Sequence, residues 1–212
     1  MRTRVQVFAR APVSGEVKTR LWPRLGADRA ARLQMALTGR AIATAMSAHI
    51  GPVELWCSPD CTHPTFAAFA ARGILLREQE SGTLGKRMHR ALSQALQTDD
   101  CAVLMGSDCP SLAPQDLRDA ARTVHTESDF TFVPAEDGGY VLIAVAQRTQ
   151  SCLHRIFEDI EWGTSQVMDQ TRERLGELGC TWQELAPRWD IDRPEDYDRL
   201  LREQPGLLEA IP

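Results

Sequence analysis

Residues 101–112 read Cys101-Ala-Val-Leu-Met-Gly-Ser-Asp108-Cys-Pro-Ser-Leu112. The first five are apolar without alternation, which predicts a short strand buried on both faces, as in the centre of a parallel sheet. Gly106–Leu112 reads as the loop leaving that strand. Pro114 then suits the first position of a helix to about Thr123, because proline lacks the N–H that a first helical residue cannot use.

Working outward, short strand-like runs alternate with helical periods. Val5-Gln-Val-Phe-Ala9 reads as the first strand and Arg10–Val17 as a loop broken by Pro12 and Gly15. Beyond Gly26 a long helix runs to about His49, with Ala30, Leu33, Leu37, Ala41 and Ala45 three and four apart. Residues 53–57 and 74–78 read as strands, with a short helix over 65–71 between them. A helix over 85–96 precedes the central run. Residues 130–133 and 140–145 are two further strands. Thr164 is placed to cap a helix over 165–178, followed by a strand over 181–185 and a helix over 194–201. This order predicts an α/β fold with helices on both faces of a mostly parallel sheet. Without repeats or linker-like tracts, residues 1–212 are read as a single domain.

Composition narrows the function. No apolar run approaches the ~20 residues needed to cross a bilayer, and the N-terminus lacks a signal-peptide pattern. A cytoplasmic protein without a membrane partner is expected. The net charge of −5 argues against nucleic acid. Residues 1–24 nevertheless carry six bases against one acid, a local excess suited to a small anionic ligand. The six cysteines show no zinc-ligand spacing and no export context for a disulfide framework. No serine-hydrolase elbow is present.

In open α/β sheets ligands bind beyond the carboxyl ends of the strands, so the loops there hold the candidates. In the first, Ala9, Arg10, Ala11, Pro12 and Gly15 form a small-residue loop whose amides can approach phosphates. Lys18 and Arg20 can neutralise those phosphates. The loop is neither a P-loop nor a dinucleotide fingerprint. After the central strand, Asp108 is either a divalent-metal ligand or a turn former bonding its own backbone. Gln79, Gly82, Gly85 and Arg87 lie where glycines beside a helix start favour an anion, although a plain strand-to-helix turn has the same composition. Asp137, Gly138, Gly139 and Tyr140 fit a hairpin or a ligand contact. Trp162, Gly163 and Thr164 fit packing or recognition. Asp192 with Glu195 has capping-box spacing.

The order of these motifs resembles a bacterial family of GT-A-like proteins. Many of its members are labelled glycosyltransferases, some of them assigned to arsenosugar biosynthesis. The series runs Ala-Arg-Ala-Pro-x-x-Gly-x-x-Lys-Thr-Arg-Leu, Gln-x-x-Gly-x-Leu-Gly-x-Arg-Met, Gly-x-Asp-x-Pro-x-Leu, Asp-Gly-Gly-Tyr-x-Leu-Ile, Trp-Gly-Thr-Ser and Asp-Ile-Asp-x-Pro-Glu-Asp, over residues 4–200. More distantly it is similar to the 2-phospholactate and molybdenum-cofactor guanylyltransferases. The resemblance implies a Rossmann-like GT-A fold of the nucleotide-diphospho-sugar transferase type, three αβα layers around a mixed, mostly parallel sheet. It implies a nucleotide in the first loop and Mg²⁺ or Mn²⁺ on Asp108, with Asp192 as a second ligand. Residues 9–12, 15, 18, 20, 79, 82, 85 and 87 would bind nucleotide, and residues 137–140 and 162–164 the other substrate.

The expected activity is glycosyl transfer from a nucleotide sugar to a small-molecule acceptor, with Lys18, Asp108 and the base Asp137 as the catalytic residues. The alternatives are nucleotidyl transfer from an NTP to a phosphorylated acceptor, with loss of pyrophosphate, or an inactive nucleotide-binding protein. The metal loop offers one carboxylate, Ser107-Asp108-Cys109, where glycosyltransferases of this type carry Asp-x-Asp, a departure towards the nucleotidyltransferases. A homo-oligomer is compatible with the sequence.

Overall fold

In the computed structural model, which describes residues 1–209, seven strands form one sheet. They are β1 (Thr3–Arg10), β2 (Val53–Ser58), β3 (Leu75–Glu78), β4 (Cys101–Gly106), β5 (Phe130–Pro134), β6 (Tyr140–Ala146) and β7 (Trp182–Glu184). Helices α1 (Trp22–Leu25) and α2 (Ala27–Ala48) follow β1, and α3 (Pro64–Ala70) follows β2. Then come α4 (Leu84–Ala95), α5 (Pro114–Thr126), α6 (Val167–Glu177), α7 (Pro194–Glu203) and α8 (Gly206–Glu209).

The strand order is β3-β2-β1-β4-β6-β5-β7. β1 pairs in parallel with β2 and β4, β2 with β3, and β5 with β7. Only β6 runs against its neighbours, antiparallel to β4 and β5. The sheet is therefore mixed and mostly parallel. The chain leaves β1 towards β2 on one side and later returns to β4 on the other. This reversal opens a crevice at the carboxyl ends of β1 and β4.

Alternation along each strand sorts side chains onto two faces. Val5, Val7 and Ala9 of β1 pack with residues of α2, α3 and α5. Phe8 packs with α4, a 3-10 turn at Leu153–Phe157, and α6. These are the three layers. α2 has a second apolar face. Its Leu33 and Leu37, one turn apart, join Leu21, Trp189, Ile191 and Leu200 in a separate buried cluster. Burying side chains of this size stabilises by roughly 1.5–3 kcal/mol each, and it holds the segment after β7 against the first loop.

Three sequence expectations shift. The sixth helix starts at Val167 rather than Ser165. Thr164 Oγ1 does accept a backbone N–H, from Gln166 at 3.2 Å, but as a turn before the helix. The backbone of the intervening Ser165 packs against Gly138 of the β5–β6 turn, and the Met168 N–H donates to the Gly138 carbonyl at 2.9 Å. The last strand shortens to Trp182–Glu184. The capping box of α7 is displaced by one residue. Asp196, not Glu195, accepts from the backbone N–H of Arg193 (2.7 Å) and of Asp192 (3.0 Å), so the Asp192 side chain is free of capping.

Candidate active site at the carboxyl edge of the sheet

A cleft of about 680 Å³ opens over the carboxyl ends of β1, β2 and β4. Three separate segments meet there through specific hydrogen bonds. The Ile191 N–H donates to the Asp108 carbonyl at 3.0 Å, and the Lys18 ammonium donates to the Ile191 carbonyl. The Lys18 Nζ also lies 2.9 Å from Asp108 Oδ2. The first loop, the β4 loop and the Trp189–Asp192 segment are thus one unit.

Lys18 has a left-handed backbone, φ 49° and ψ 41°, at a cost on the order of 1 kcal/mol for a residue with a Cβ. Its side chain is only 5% exposed, whereas that of Asp108 is 46% exposed. The cation is sheltered and the carboxylate opens to the cleft. Asp108 Oδ1 accepts from Gln34 Nε2 and Ser107 Oγ, both at 3.2 Å. These partners are side chains from α2 and the preceding residue, not the backbone of its own turn. Burial pushes the Asp108 carboxyl up, but the Lys18 charge and the three hydrogen-bond donors outweigh it and hold the group below the usual range. Asp108 is therefore a fixed, ionised carboxylate.

Asp190 opens the Asp-Ile-Asp-x-Pro-Glu-Asp motif, in which the sequence reading singles out Asp192 instead. It lines the same cleft. Burial, then the charges of Asp137 and Asp108, push its carboxyl up to about 6, against the opposing pull of Lys18. Asp192 also lines the cleft, and its carboxylate pairs with Arg20. Sequence spacing does not distinguish Asp190 from Asp192. The burial of Trp189 and Ile191 on either side of Asp190 does.

Among the described residues, no group of three or more His, Cys, Asp or Glu side chains is arranged to enclose a metal. The crowding of carboxylates around Asp190 is nonetheless what a divalent cation would relieve. Mg²⁺ in particular is commonly held by one or two carboxylates with substrate phosphates and water. The residues fit such a cation on Asp108 with Asp190 or Asp192.

The predicted residues divide. Ala9, Arg10, Lys18, Arg20, Gln79, Arg87, Asp108, Tyr140 and Asp192 line the cleft. In the first loop the lining then continues through Glu16–Arg20, while Ala11 is buried in the core. Pro12, Gly15 and Gly82 are not among the lining residues. Asp137 is exposed on the β5–β6 turn, where its Oδ1 accepts the Gly139 N–H at 3.1 Å. Gly138 has φ +95°, and a Cβ there would stand 2.2 Å from the Ser165 carbonyl oxygen.

A second cavity, of about 470 Å³, shares the first turn of α4 and is lined by Gly85, Lys86, His89, His154, Phe157 and Trp162 among others. A Cβ on Gly85 would meet the Trp162 ring at 2.9 Å, so this glycine makes room for the indole. Trp162 in turn stacks edge-on with Tyr140, ring centroids 6.4 Å apart. Tyr140 thus stands between the two cavities. Gly163 and Thr164 line neither.

The strand order, the crevice and the three layers define the nucleotide-diphospho-sugar transferase fold. The chain belongs to a bacterial family described as "Uncharacterized protein conserved in bacteria (DUF2064)", whose model matches residues 41–164, more than half of the sequence. No curated protein matches the sequence. Among solved structures it is similar to a "putative nucleotide-diphospho-sugar transferase" from Desulfovibrio desulfuricans G20. Identity is 26% and the TM-score 0.82, over 99% of this chain and 98% of that one. A nucleotidyl transferase from Methanothermobacter shares the fold at 16% identity and TM-score 0.67, covering 98% of each chain. Glucosyl-3-phosphoglycerate synthase from Mycobacterium tuberculosis, solved with Mn²⁺, UDP and glucosyl-3-phosphoglycerate, shares it at 13% identity and TM-score 0.59. That match covers 98% of this chain and 78% of the synthase.

Proposed function

We propose that this protein is a metal-assisted transferase that takes a nucleotide-activated donor, and that it transfers a glycosyl group from a nucleotide sugar to a small-molecule acceptor. The observation that carries this reading is the convergence of Lys18, Asp108 and Asp190 in one cleft at the carboxyl edge of the sheet. The likeness to the Desulfovibrio protein along nearly the whole chain supports the same class. A divalent cation, Mg²⁺ or Mn²⁺, would supply Lewis-acid stabilisation of the departing diphosphate.

The chain's own residues divide the remaining work. Asp108, with Asp190 or Asp192, would hold the cation, and the orientation of Asp108 is set by Gln34, Ser107 and Lys18. Lys18 and Arg20 place positive charge beside the nucleotide phosphates, where negative charge grows as the bond breaks. The acceptor approaches from the side of Tyr140 and the Trp162 cavity. Asp137 lies on the β5–β6 turn outside both cavities, but its charge acts on the cleft residue Asp190, and from there it would take the proton of the acceptor hydroxyl.

A second reading, nucleotidyl transfer from an NTP to a phosphorylated acceptor, is favoured by the lone carboxylate of the Ser107-Asp108-Cys109 loop and its direct contact with Lys18. ³¹P NMR of reaction mixtures separates the two. Release of an intact nucleoside diphosphate from a nucleotide sugar supports the first reading. Release of pyrophosphate from an NTP replaces it with the second.

A further inference from the structure

The second cavity is distinct from the cleft, and the two share no lining residue. One side is the start of α4, from its cap Thr83 to His89, and the other is the stretch from His154 to Trp162. The second side is firmly held. The Glu161 N–H donates to Gln170 Oε1 at 2.8 Å, and the Trp162 N–H to the Ile160 carbonyl at 3.0 Å. Asp159 has a left-handed backbone, φ 53°, at a cost on the order of 1 kcal/mol. Its carboxylate pairs with Arg174 of α6 at 3.2 Å. The cavity is thus preformed, and its volume is ordinary for a small-molecule site.

Its chemistry is aromatic and nearly uncharged. Phe157 and Trp162 lie with ring centroids 6.2 Å apart. Gly85 lets the Nε1 edge of the indole lie on α4, where a Cβ would stand 3.0 Å from that nitrogen. Trp22, Trp56 and Trp182 each donate the indole N–H to a protein oxygen. Half-buried Trp162 donates its own to no group among the described residues. His63 and His125 likewise have protein partners. His89 and His154 stand edge-on to one another, centroids 6.2 Å apart, with no hydrogen-bond partner among the described residues. Burial, then His154 and Arg90, hold His89 below its ordinary 6.5, so it is neutral at neutral pH.

These groups select a ligand class. A phosphate calls for fixed cationic donors, and a buried sugar for a polar partner at nearly every hydroxyl. With Asp159 taken by Arg174, the cavity offers one exposed lysine, Lys86, and one exposed glutamate, Glu158. A flat uncharged ring fits instead. Its surface would lie against Phe157 and Trp162, and a polar substituent would meet the indole N–H or His89. Tyr140, which lines the cleft and touches the Trp162 ring, puts this cavity next to the donor.

We infer that the second cavity binds a neutral aromatic ring and, on the transferase reading proposed for the cleft, that this ring belongs to the acceptor, a hydroxyaryl compound. In the transfer the aryl oxygen would bond to the anomeric carbon as the bond from that carbon to the phosphate oxygen breaks. The electron pair leaves with the nucleoside diphosphate, and the hydroxyl proton passes to Asp137.

Two-dimensional ¹H–¹⁵N spectra of the indole N–H groups test the site, with the Trp162 signal assigned by its absence in Trp162→Leu. 2-Naphthol is expected to shift that signal saturably, while methyl glucoside and glycerol phosphate leave it in place. Gly85→Ala, which displaces the indole but keeps it, should weaken 2-naphthol about threefold to tenfold, the worth of one aromatic contact. Lys86→Met should bind 2-naphthol as wild type does. No saturable shift, equal shifts with methyl glucoside or glycerol phosphate, or wild-type affinity in Gly85→Ala overturns the inference. Incubation with nucleotide sugars separates it from the transferase reading. Ring binding without turnover of any nucleotide-activated donor rejects that reading and leaves the ring site standing. Transfer to other acceptors, with no shift by 2-naphthol, does the reverse. Transfer only to acceptors that do not displace bound 2-naphthol overturns the acceptor assignment.

Discussion

At the scale of single residues, the site turns on Lys18 and Asp108. Their pair is asymmetric, a sheltered cation against a half-open carboxylate. Asp108→Asn removes the charge proposed to hold a cation but keeps oxygen for Gln34 and Ser107. The expected result is a fall in metal-dependent turnover of at least about 100-fold, the scale of losing a principal electrostatic contact. Stability should drop by only about 1 kcal/mol, because solvent screens the pair on the carboxylate side. Kinetics and a denaturant melt on the same preparation check both. Lys18→Met tests the cation: turnover should fall by a similar factor, with Asp108 titrating at higher pH once its first counter-charge is gone. A ¹³C titration of the carboxyl group reads that shift.

The element scale shows what the sequence made legible. The five apolar residues of β4 marked the central strand, and the loop after it held Asp108. The motif at Lys18 also lay in a cleft-lining segment. The reversed direction of β6 was legible only through the hairpin reading of Asp137–Tyr140, which joins antiparallel strands, because the apolar run of β6 would be the same in either direction. Asp190 was missed for a related reason. It sits between Trp189 and Ile191, whose burial depends on the second face of α2, and a long-range contact leaves no local spacing. The capping box was misplaced because Glu195 and Asp196 are neighbouring acids, and either can lie near a helix start.

Two predictions belong at this scale. Gly138→Ala forces a Cβ into the Ser165 carbonyl at a positive φ. It should cost about 2–4 kcal/mol and loosen the β5–β6 turn, read by hydrogen exchange at Met168. Asp129 joins β5 to the segment before β7. It accepts from the Thr181 N–H and Oγ1, both at 2.9 Å, and from Arg148 Nε at 2.7 Å. Burial pushes its carboxyl up, but those donors prevail and hold it below the ordinary 3.8. Its folded value lies under its unfolded one. The stabilisation is therefore complete above the unfolded value and lost as pH falls through the folded one. Asp129→Ala should be less stable than wild type near neutrality by about 1–2 kcal/mol. The difference should close below about pH 4, measured by urea melts across pH.

For the whole molecule, one sheet receives strands from both halves of the chain, and the cluster of Leu21, Leu33, Ile191 and Leu200 ties residues near each end. We propose a single cooperative domain, for which calorimetric and van't Hoff unfolding enthalpies agree. The same long-range tie brings the Trp189–Asp192 segment onto Lys18 and Asp108, so folding and site assembly are one event. A cleft that binds a nucleotide through a cation on Asp108 is stabilised most when both ligands are present. The direct measurement is the melting midpoint of wild type and Asp108→Asn with nucleoside diphosphates, NTPs and nucleotide sugars, each with Mg²⁺, with Mn²⁺ and with EDTA. At least one nucleotide class should raise the wild-type midpoint further when the metal is present, and Asp108→Asn should abolish this increment. An increment that survives Asp108→Asn, or no metal-dependent shift with any nucleotide, would contradict it.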